Sequence, residues 1–421
     1  MDEIIPRDDN PGPDLNLDTP TGNDLEDYYK ELEKRDKQNE ELDKIDKKNK
    51  ELDLELKPLS FSFREFKKPS SVVLENVGNT TYMSCVLHCL ANIQSIAKYY
   101  LKEINEIKNH LNEIPLSYVF SRVIFHLYSC PQGSLQQSFS LSNFHKYTIS
   151  VNRFLDGNST KSAVDFLYFL LETLHNEDKQ LHKNNNINNT SEETKSETYK
   201  DSKEYIEYLK KTEKSIIFND FGWANQKIKK CEQCKFESIV YQEFFTFDLF
   251  LEYSLQNFKL NEISVFECIK RQYQKRQLYN IHCKVCKNKT QFESESLILF
   301  TPKYFIFILN EDKMKELINK NIKFIIDPSF NLNDAIKDYT MDNNYELIGM
   351  IVYELFLNNN IEYKEYNAYY MSFFDNNWYK YEKDKISEVN IKQLLKSNFL
   401  KPVILFYRIN EKENKKEKEN K

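Results

Sequence analysis

Leu74-Glu75-Asn76-Val77-Gly78-Asn79-Thr80-Thr81-Tyr82-Met83-Ser84-Cys85-Val86-Leu87-His88-Cys89-Leu90 is the stretch whose reading decides this chain. Cys85 lies four residues after Thr81. On a helix the two share a face, with Cys85 about 5.4 Å further along the axis. Cys85 and His88 read as core residues of such a helix.

Outward from this segment, the chain has 421 residues, enough for two or three subdomains around a sizeable core. Its 40% hydrophobic and 14% aromatic content fits a globular body, and its 29% charged residues suggest polar tails and insertions. A formal net charge of -6 argues against a general nucleic-acid binder, which would be basic. No apolar run reaches the roughly 18 residues of a membrane span. Met1 to Pro6 has neither a basic start nor an apolar run, so it does not read as a secretory signal. The expected compartment is the cytoplasm or nucleus, where paired cysteines read as metal ligands and not as disulfides.

Residues 1–65 read as an N-terminal extension, disordered at first. From about Asn23 to Pro58 it alternates charge, fitting a solvated single helix better than a coiled coil. This segment could also recruit a protein complex. The globular part begins near Ser71 and is expected to run to about residue 408. A polar low-complexity insertion interrupts it at about 183–203, and residues 409–421 form a charged tail. Ser121 to Cys130 and Ser162 to His175 carry helical apolar spacing. In the second, Ala163, Phe166, Leu167, Leu170, Leu171 and Leu174 share one face. From Ser238 the pattern turns to strands, with Leu297 to Leu309, Ile322 to Ile326, Tyr345 to Leu357, Tyr363 to Phe374 and Pro402 to Tyr407 among them. Helices followed by a long β-rich part indicate an α+β protein.

Cys231-Glu232-Gln233-Cys234 and Cys283-Lys284-Val285-Cys286 are two CxxC knuckles. Each aims two sulfurs at one point, and together they supply the four thiolates of a closed tetrahedral zinc site. They lie 49 positions apart (283 minus 234), which implies that a pair of strands and a loop lie between them. A closed site offers no open coordination position, so one zinc here is expected to hold structure. Cys85, Cys89, Cys130 and Cys268 have no motif partners and read as core residues.

These blocks together resemble the ubiquitin-specific proteases, the ubiquitin carboxyl-terminal hydrolase family. Asn76, Gly78, Asn79, Thr80, Tyr82, Met83, Leu87 and Leu90 match that family's nucleophile box in register. Ser162 to Leu171 resembles its Gln-Gln-Asp-Ala-x-Glu-Phe-Leu helix, Tyr345 to Gly349 the strand before its catalytic histidine, and Pro402 to Tyr407 its closing strand. The resemblance implies a papain-like fold with a helical thumb (about 71–182), zinc-bearing fingers (about 225–295) and a β-rich palm (about 296–408). It implies cysteine-type hydrolysis at the ubiquitin C-terminus, with Asn76 at the oxyanion-hole position. It also places Ser162, Asp165 and Tyr366 in the cleft for the ubiquitin tail.

The same register removes the chemistry. Thr81 stands where the family has its cysteine. Lys364-Glu365-Tyr366-Asn367-Ala368-Tyr369 aligns with Gly-His-Tyr-x-Ala-Tyr, so Glu365 takes the histidine position. Trp378 then puts Glu382 at the Asp/Asn position. The last histidine of the chain is His282, so no later residue restores the base. A threonine hydroxyl is a poor nucleophile without a matched base, and a carboxylate is poorly suited to protonate a departing amine. The expectation is a catalytically inactive homologue that binds ubiquitin or a ubiquitin-like protein weakly, or scaffolds a complex. The rival expectation is an active thiol hydrolase with a rearranged site built on Cys85. A purely structural subunit is a third, favoured by Ser162, which replaces a family aspartate, and by the missing Arg-Phe after Leu309.

Overall fold

The computed structural model describes residues 72–110, 115–128, 138–152, 155, 162–184, 199–251, 262–336, 343–358, 361–383, 385–396 and 400–410. All of them fall in one unit, Pro58–Lys421. The N-terminal extension, most of the 183–203 insertion, Cys130 and the tail from 411 onward lie outside the described residues.

A short strand, β1 (Val73–Glu75), leads into α1 (Thr81–Ala91). Between them Gly78 adopts φ 65°, a left-handed conformation that glycine takes at little cost. Every residue of α1 is buried, so it is a core helix without a solvent face. Around it stand α2 (Gln94–His110), α3 (Leu116–Tyr128), α4 (Ser142–Val151) and α5 (Ala163–Asn184), with β2 (Ser138–Ser140) parallel to β1. The apolar face expected for α5 is the one found: Ala163, Phe166, Leu167, Leu170, Leu171 and Leu174 are all fully buried. The helix α3 begins five residues before Ser121, where its expected span starts. The cause is tertiary: the Glu177 carboxylate on α5 accepts hydrogen bonds from Leu116 N (2.9 Å) and Ser117 N (2.7 Å). It thereby satisfies donors that the helix start leaves unpaired.

The rest is mainly β. After α6 (Ser202–Thr212) and α7 (Ile216–Phe221) come β3 (Trp223–Cys231), β4 (Glu237–Phe244), β7 (Arg276–His282) and β8 (Lys289–Phe300). They form a four-stranded antiparallel sheet in the order β4-β3-β8-β7. The eight-stranded sheet is built on β12 (Asn344–Asn358) and β13 (Ile361–Met371), a long antiparallel hairpin. Its order is β15-β14-β13-β12-β16-β9-β5, with β11 also on β12. Here β5 is Phe247–Leu249, β9 Tyr304–Leu309, β11 Ser329–Asn331, β14 Trp378–Glu382, β15 Lys385–Val389 and β16 Pro402–Ile409. The strand expected over Leu297 to Leu309 is two strands. Pro302 has no N–H for a ladder, and the chain there leaves the four-stranded sheet as β8 and enters the eight-stranded one as β9.

Strand β6 (Glu262–Ser264) leads into α8 (Val265–Gln272) and pairs in parallel with β10 (Lys323–Ile325), and α9 (Glu311–Asn319) follows β9 directly. Helix α1 packs on β13, with His88 against Tyr370.

Candidate functional site

Thr81 is the first residue of α1. It is 8% exposed, and its Oγ1 has no hydrogen-bond partner among the described residues. The preceding Thr80 is occupied differently, its Oγ1 accepting from Val77 N at 2.8 Å. Asn76 sits before the turn, and its Oδ1 accepts from Ser84 Oγ at 3.2 Å.

The two acids expected near Thr81 are turned to lysines. Glu365 on β13 pairs with Lys383 Nζ at 3.0 Å, and Glu382 on β14 pairs with Lys380 Nζ at 2.7 Å. Neither carboxylate bonds the Thr81 hydroxyl. Register explains part of this. Tyr366, Ala368 and Tyr370 alternate on the side of β13 where Tyr370 meets His88 of α1. Glu365 is one residue out of that phase, so its side chain belongs to the opposite face.

Cys85 and His88 lie deep under α1. Cys85 is fully buried, and burial followed by the neighbouring Cys89 thiol pushes its own thiol well up. His88 is also fully buried, wedged against Tyr370 (ring centroids 5.7 Å) and Tyr381 (4.3 Å). Neither ring nitrogen has a hydrogen-bond partner among the described residues, and burial pulls the imidazole down to about 3. A thiolate–imidazole pair needs the opposite: a low thiol, a basic ring and a bond between them.

A serine–histidine–carboxylate alignment does occur elsewhere. His175 Nδ1 meets Ser215 Oγ at 2.6 Å, and His175 Nε2 meets Glu213 Oε2 at 2.8 Å. Burial opposes ionisation of Glu213, but hydrogen bonds from His175 and Lys179 outweigh it and hold the carboxyl down at about 2. Ser215 is 1% exposed, and its oxygen caps α7 by accepting from Phe218 N at 2.9 Å. This network ties α5 to α7 and has no room for a substrate.

Ser162 and Asp165 line one cavity, and Tyr366 bonds Glu311 in its wall. A cavity of about 600 Å³ is lined by Ser162 and Asp165 at the start of α5, by Asp248 and Leu309, and by Glu311 and Lys364. Ser162 caps α5 through Val164 N (3.1 Å). Tyr366 lies at its edge: its hydroxyl donates to Glu311 Oε1 at 3.1 Å. Burial, then the Glu311 charge, push the phenol up. Lys364 Nζ forms an ion pair with Glu311 Oε2 and lies 6.0 Å from the Tyr353 ring centroid. Glu311 and Lys383 were not legible as partners. Asn310-Glu311-Asp312 looks like an ordinary helix start, and nothing local says that Glu311 meets a lysine 53 residues later.

The four knuckle cysteines come together at the end of the four-stranded sheet. All four sulfurs lie within 4.8 Å of one another, a group that could hold a metal ion. Cys231 and Cys283 are buried, and Cys234 and Cys286 partly exposed. The two turns are copies of each other. Lys235 N donates to Cys231 O and Lys287 N to Cys283 O, both at 2.9 Å. Lys235 and Lys287 both adopt left-handed φ, 62° and 61°.

The ubiquitin carboxyl-terminal hydrolase family profile matches residues 72–407, and the chain belongs to that family. It is 27% identical over 274 residues to ubiquitin carboxyl-terminal hydrolase 4 of Saccharomyces cerevisiae (strain YJM789), covering 61% of this chain and 29% of that protein. It is 24% identical over 361 residues to probable ubiquitin carboxyl-terminal hydrolase 4 of Schizosaccharomyces pombe (strain 972), covering 80% of this chain and 58% of that one. The chain therefore spans less than two thirds of the length of these relatives. Among solved structures, the SAGA Ubp8/Sgf11/Sus1/Sgf73 DUB module bound to ubiquitin aldehyde shares the fold. Its TM-score is 0.58 at 17% identity, over 84% of this chain and 72% of that one. The papain-like α+β fold is thus the family's. No helix among the described residues is long and apolar enough to cross a membrane.

Proposed function

We propose that this domain is a non-catalytic member of the family that binds ubiquitin or a ubiquitin-like protein weakly. The observation carrying this reading is the Thr81 hydroxyl, which has no base on it, while both acids at the other triad-equivalent positions are engaged by lysines. Acyl transfer needs a nucleophile, a base that deprotonates it and then protonates the amine, and a group that orients the base. Here the first is an alcohol, and the other two are carboxylates held by Lys383 and Lys380. Asn76 is the one member of the family's set retained, and its side-chain oxygen is bound to Ser84. The rearranged site on Cys85 finds no support in a sealed thiol and an unpaired, non-basic His88.

The two cysteine knuckles have the chemistry to hold zinc. A tetrahedral zinc with bonds of about 2.3 Å needs sulfurs about 3.8 Å apart. Cys231 and Cys286 stand 3.8 Å apart, and Cys234 and Cys283 3.6 Å. Bound there, zinc would be held by Cys231, Cys234, Cys283 and Cys286 and would pin the two knuckles together. Its four protein ligands leave no position for a reacting water.

The test of the catalytic reading is cleavage of a fluorogenic ubiquitin C-terminal amide, with labelling by a thiol-reactive ubiquitin probe. Turnover is expected to equal that of buffer, and Thr81→Cys alone is expected to leave it there because no base is supplied. Turnover that Cys85→Ala abolishes would establish the thiol-hydrolase rival instead. Binding is followed by titration with ubiquitin: perturbed signals at the four-stranded sheet and on the surface around the cleft are expected. If saturating ubiquitin perturbs none, the domain is a scaffold only.

A further inference from the structure

The cleft lined by Ser162, Asp165 and Glu311 already holds a cation that belongs to the chain itself. Glu311 opens α9, with its side chain 14% exposed. Both of its oxygens are taken: Oε2 by Lys364 Nζ, Oε1 by the Tyr366 hydroxyl. Lys364 and Tyr366 lie on β13, so one strand satisfies the whole carboxylate from across the cleft. The Lys364 side chain is itself only 24% exposed, and its stem lies among the lining residues. Asp165, Asp248 and Asp312 also line the cleft, against one further lysine, Lys313, so its lining is acidic overall and would suit a cationic peptide. A charged group arriving there would have to displace a partly desolvated ion pair, whose broken half costs more than an exposed pair would.

We infer that Lys364 is a resident ligand of this cleft: it neutralises Glu311 in place of a cationic residue of an incoming peptide tail. This rests on the proposal that the domain binds a ubiquitin-type partner. Such a partner docks on the domain through its folded body, with its C-terminal tail left outside. Lys364 thereby sets both the weakness of the complex and its indifference to the tail.

The experiment compares wild type with Lys364→Ala and with Lys364→Met, which keeps the aliphatic stem if the smaller side chain impairs folding. Each is titrated with intact ubiquitin, with ubiquitin lacking its C-terminal residues, and with a short arginine-containing peptide ending in a free carboxylate. Wild type is expected to bind the two ubiquitins within about twofold of each other and to ignore the peptide. The variants are expected to gain roughly tenfold or more for intact ubiquitin and for the peptide, as a charge-assisted contact to Glu311 becomes available. Truncated ubiquitin is expected to gain nothing. A wild type that already loses about tenfold on tail truncation overturns the inference. So does a pair of folded variants with no gain for the peptide. If neither ubiquitin binds any form, the ubiquitin-reader proposal fails, and the peptide titration still decides the role of Lys364.

Discussion

Cys283→Ser is expected to unfold the four-stranded sheet and leave the eight-stranded sheet and its helices folded. The distal end of that sheet has little else to hold it. Among the described residues around the knuckles, Cys231, Cys283 and Phe292 alone are buried, with Phe236, Leu278 and Ile281 partly covered. A few such side chains contribute about 1.5–3 kcal/mol each when fully buried, less when half-exposed. Structural zinc in small fingers contributes about 10–16 kcal/mol, more than most domains' entire stability. Four thiols within 4.8 Å and without a metal would form a reactive and poorly packed cluster. Metal analysis of pure wild type is expected to find about one zinc per chain, absent from Cys283→Ser. Hydrogen exchange in that variant should rise across residues 223–244 and 276–300, the strands of the four-stranded sheet, and little elsewhere. A variant that keeps wild-type exchange there, or wild type that contains no zinc, would refute the structural-zinc reading.

The second large effect is an acid lability set by His88. Its imidazole is fully buried against two tyrosine rings and held near 3, whereas in the unfolded chain it titrates near 6.5. The unfolded state therefore takes up a proton below about pH 6.5 that the native state refuses. Stability from this group is fully present above pH 6.5 and falls as the pH drops toward 3. Each pH unit in that window costs about 1.4 kcal/mol, or roughly 3 kcal/mol between pH 6.5 and 4.5. Glu213, held down at about 2, adds its own loss at lower pH, since its carboxylate is the stabilising form. His88→Gln isolates the histidine: urea unfolding at pH 7.5 and 4.5 should show a difference about 3 kcal/mol smaller in the variant. Equal pH dependence in both proteins would mean that the histidine is protonated, or reached by water, in the native state.

Much of the architecture was legible because it rests on local patterns. The six apolar positions of α5 recur at helical spacing, and all six are buried. The double CxxC spacing prefigured two knuckles whose sulfurs meet. Breaks were harder to read. Pro302 splits one expected strand into two that serve different sheets, because the choice between sheets is made by partners distant in sequence. The early start of α3 depends on Glu177, about sixty residues later, supplying the cap.

The same division holds at the site. Sequence alone determined the family's framework and the residues on which the proposed loss of chemistry rests, because residue identity at Thr81, Glu365 and Glu382 bears on what proton transfers are available there. It also marked the four cysteines that come together, since each CxxC spacing sets two thiols on one tight turn. Only the tertiary structure decided what those residues do instead. It turned Glu365 and Glu382 to lysines, sealed Cys85 and His88 under α1, and set Lys364 against Glu311 across the cleft. The physical reason is that ion pairs and desolvation depend on distances of a few ångströms between segments far apart in the chain. Sequence order does not record those distances.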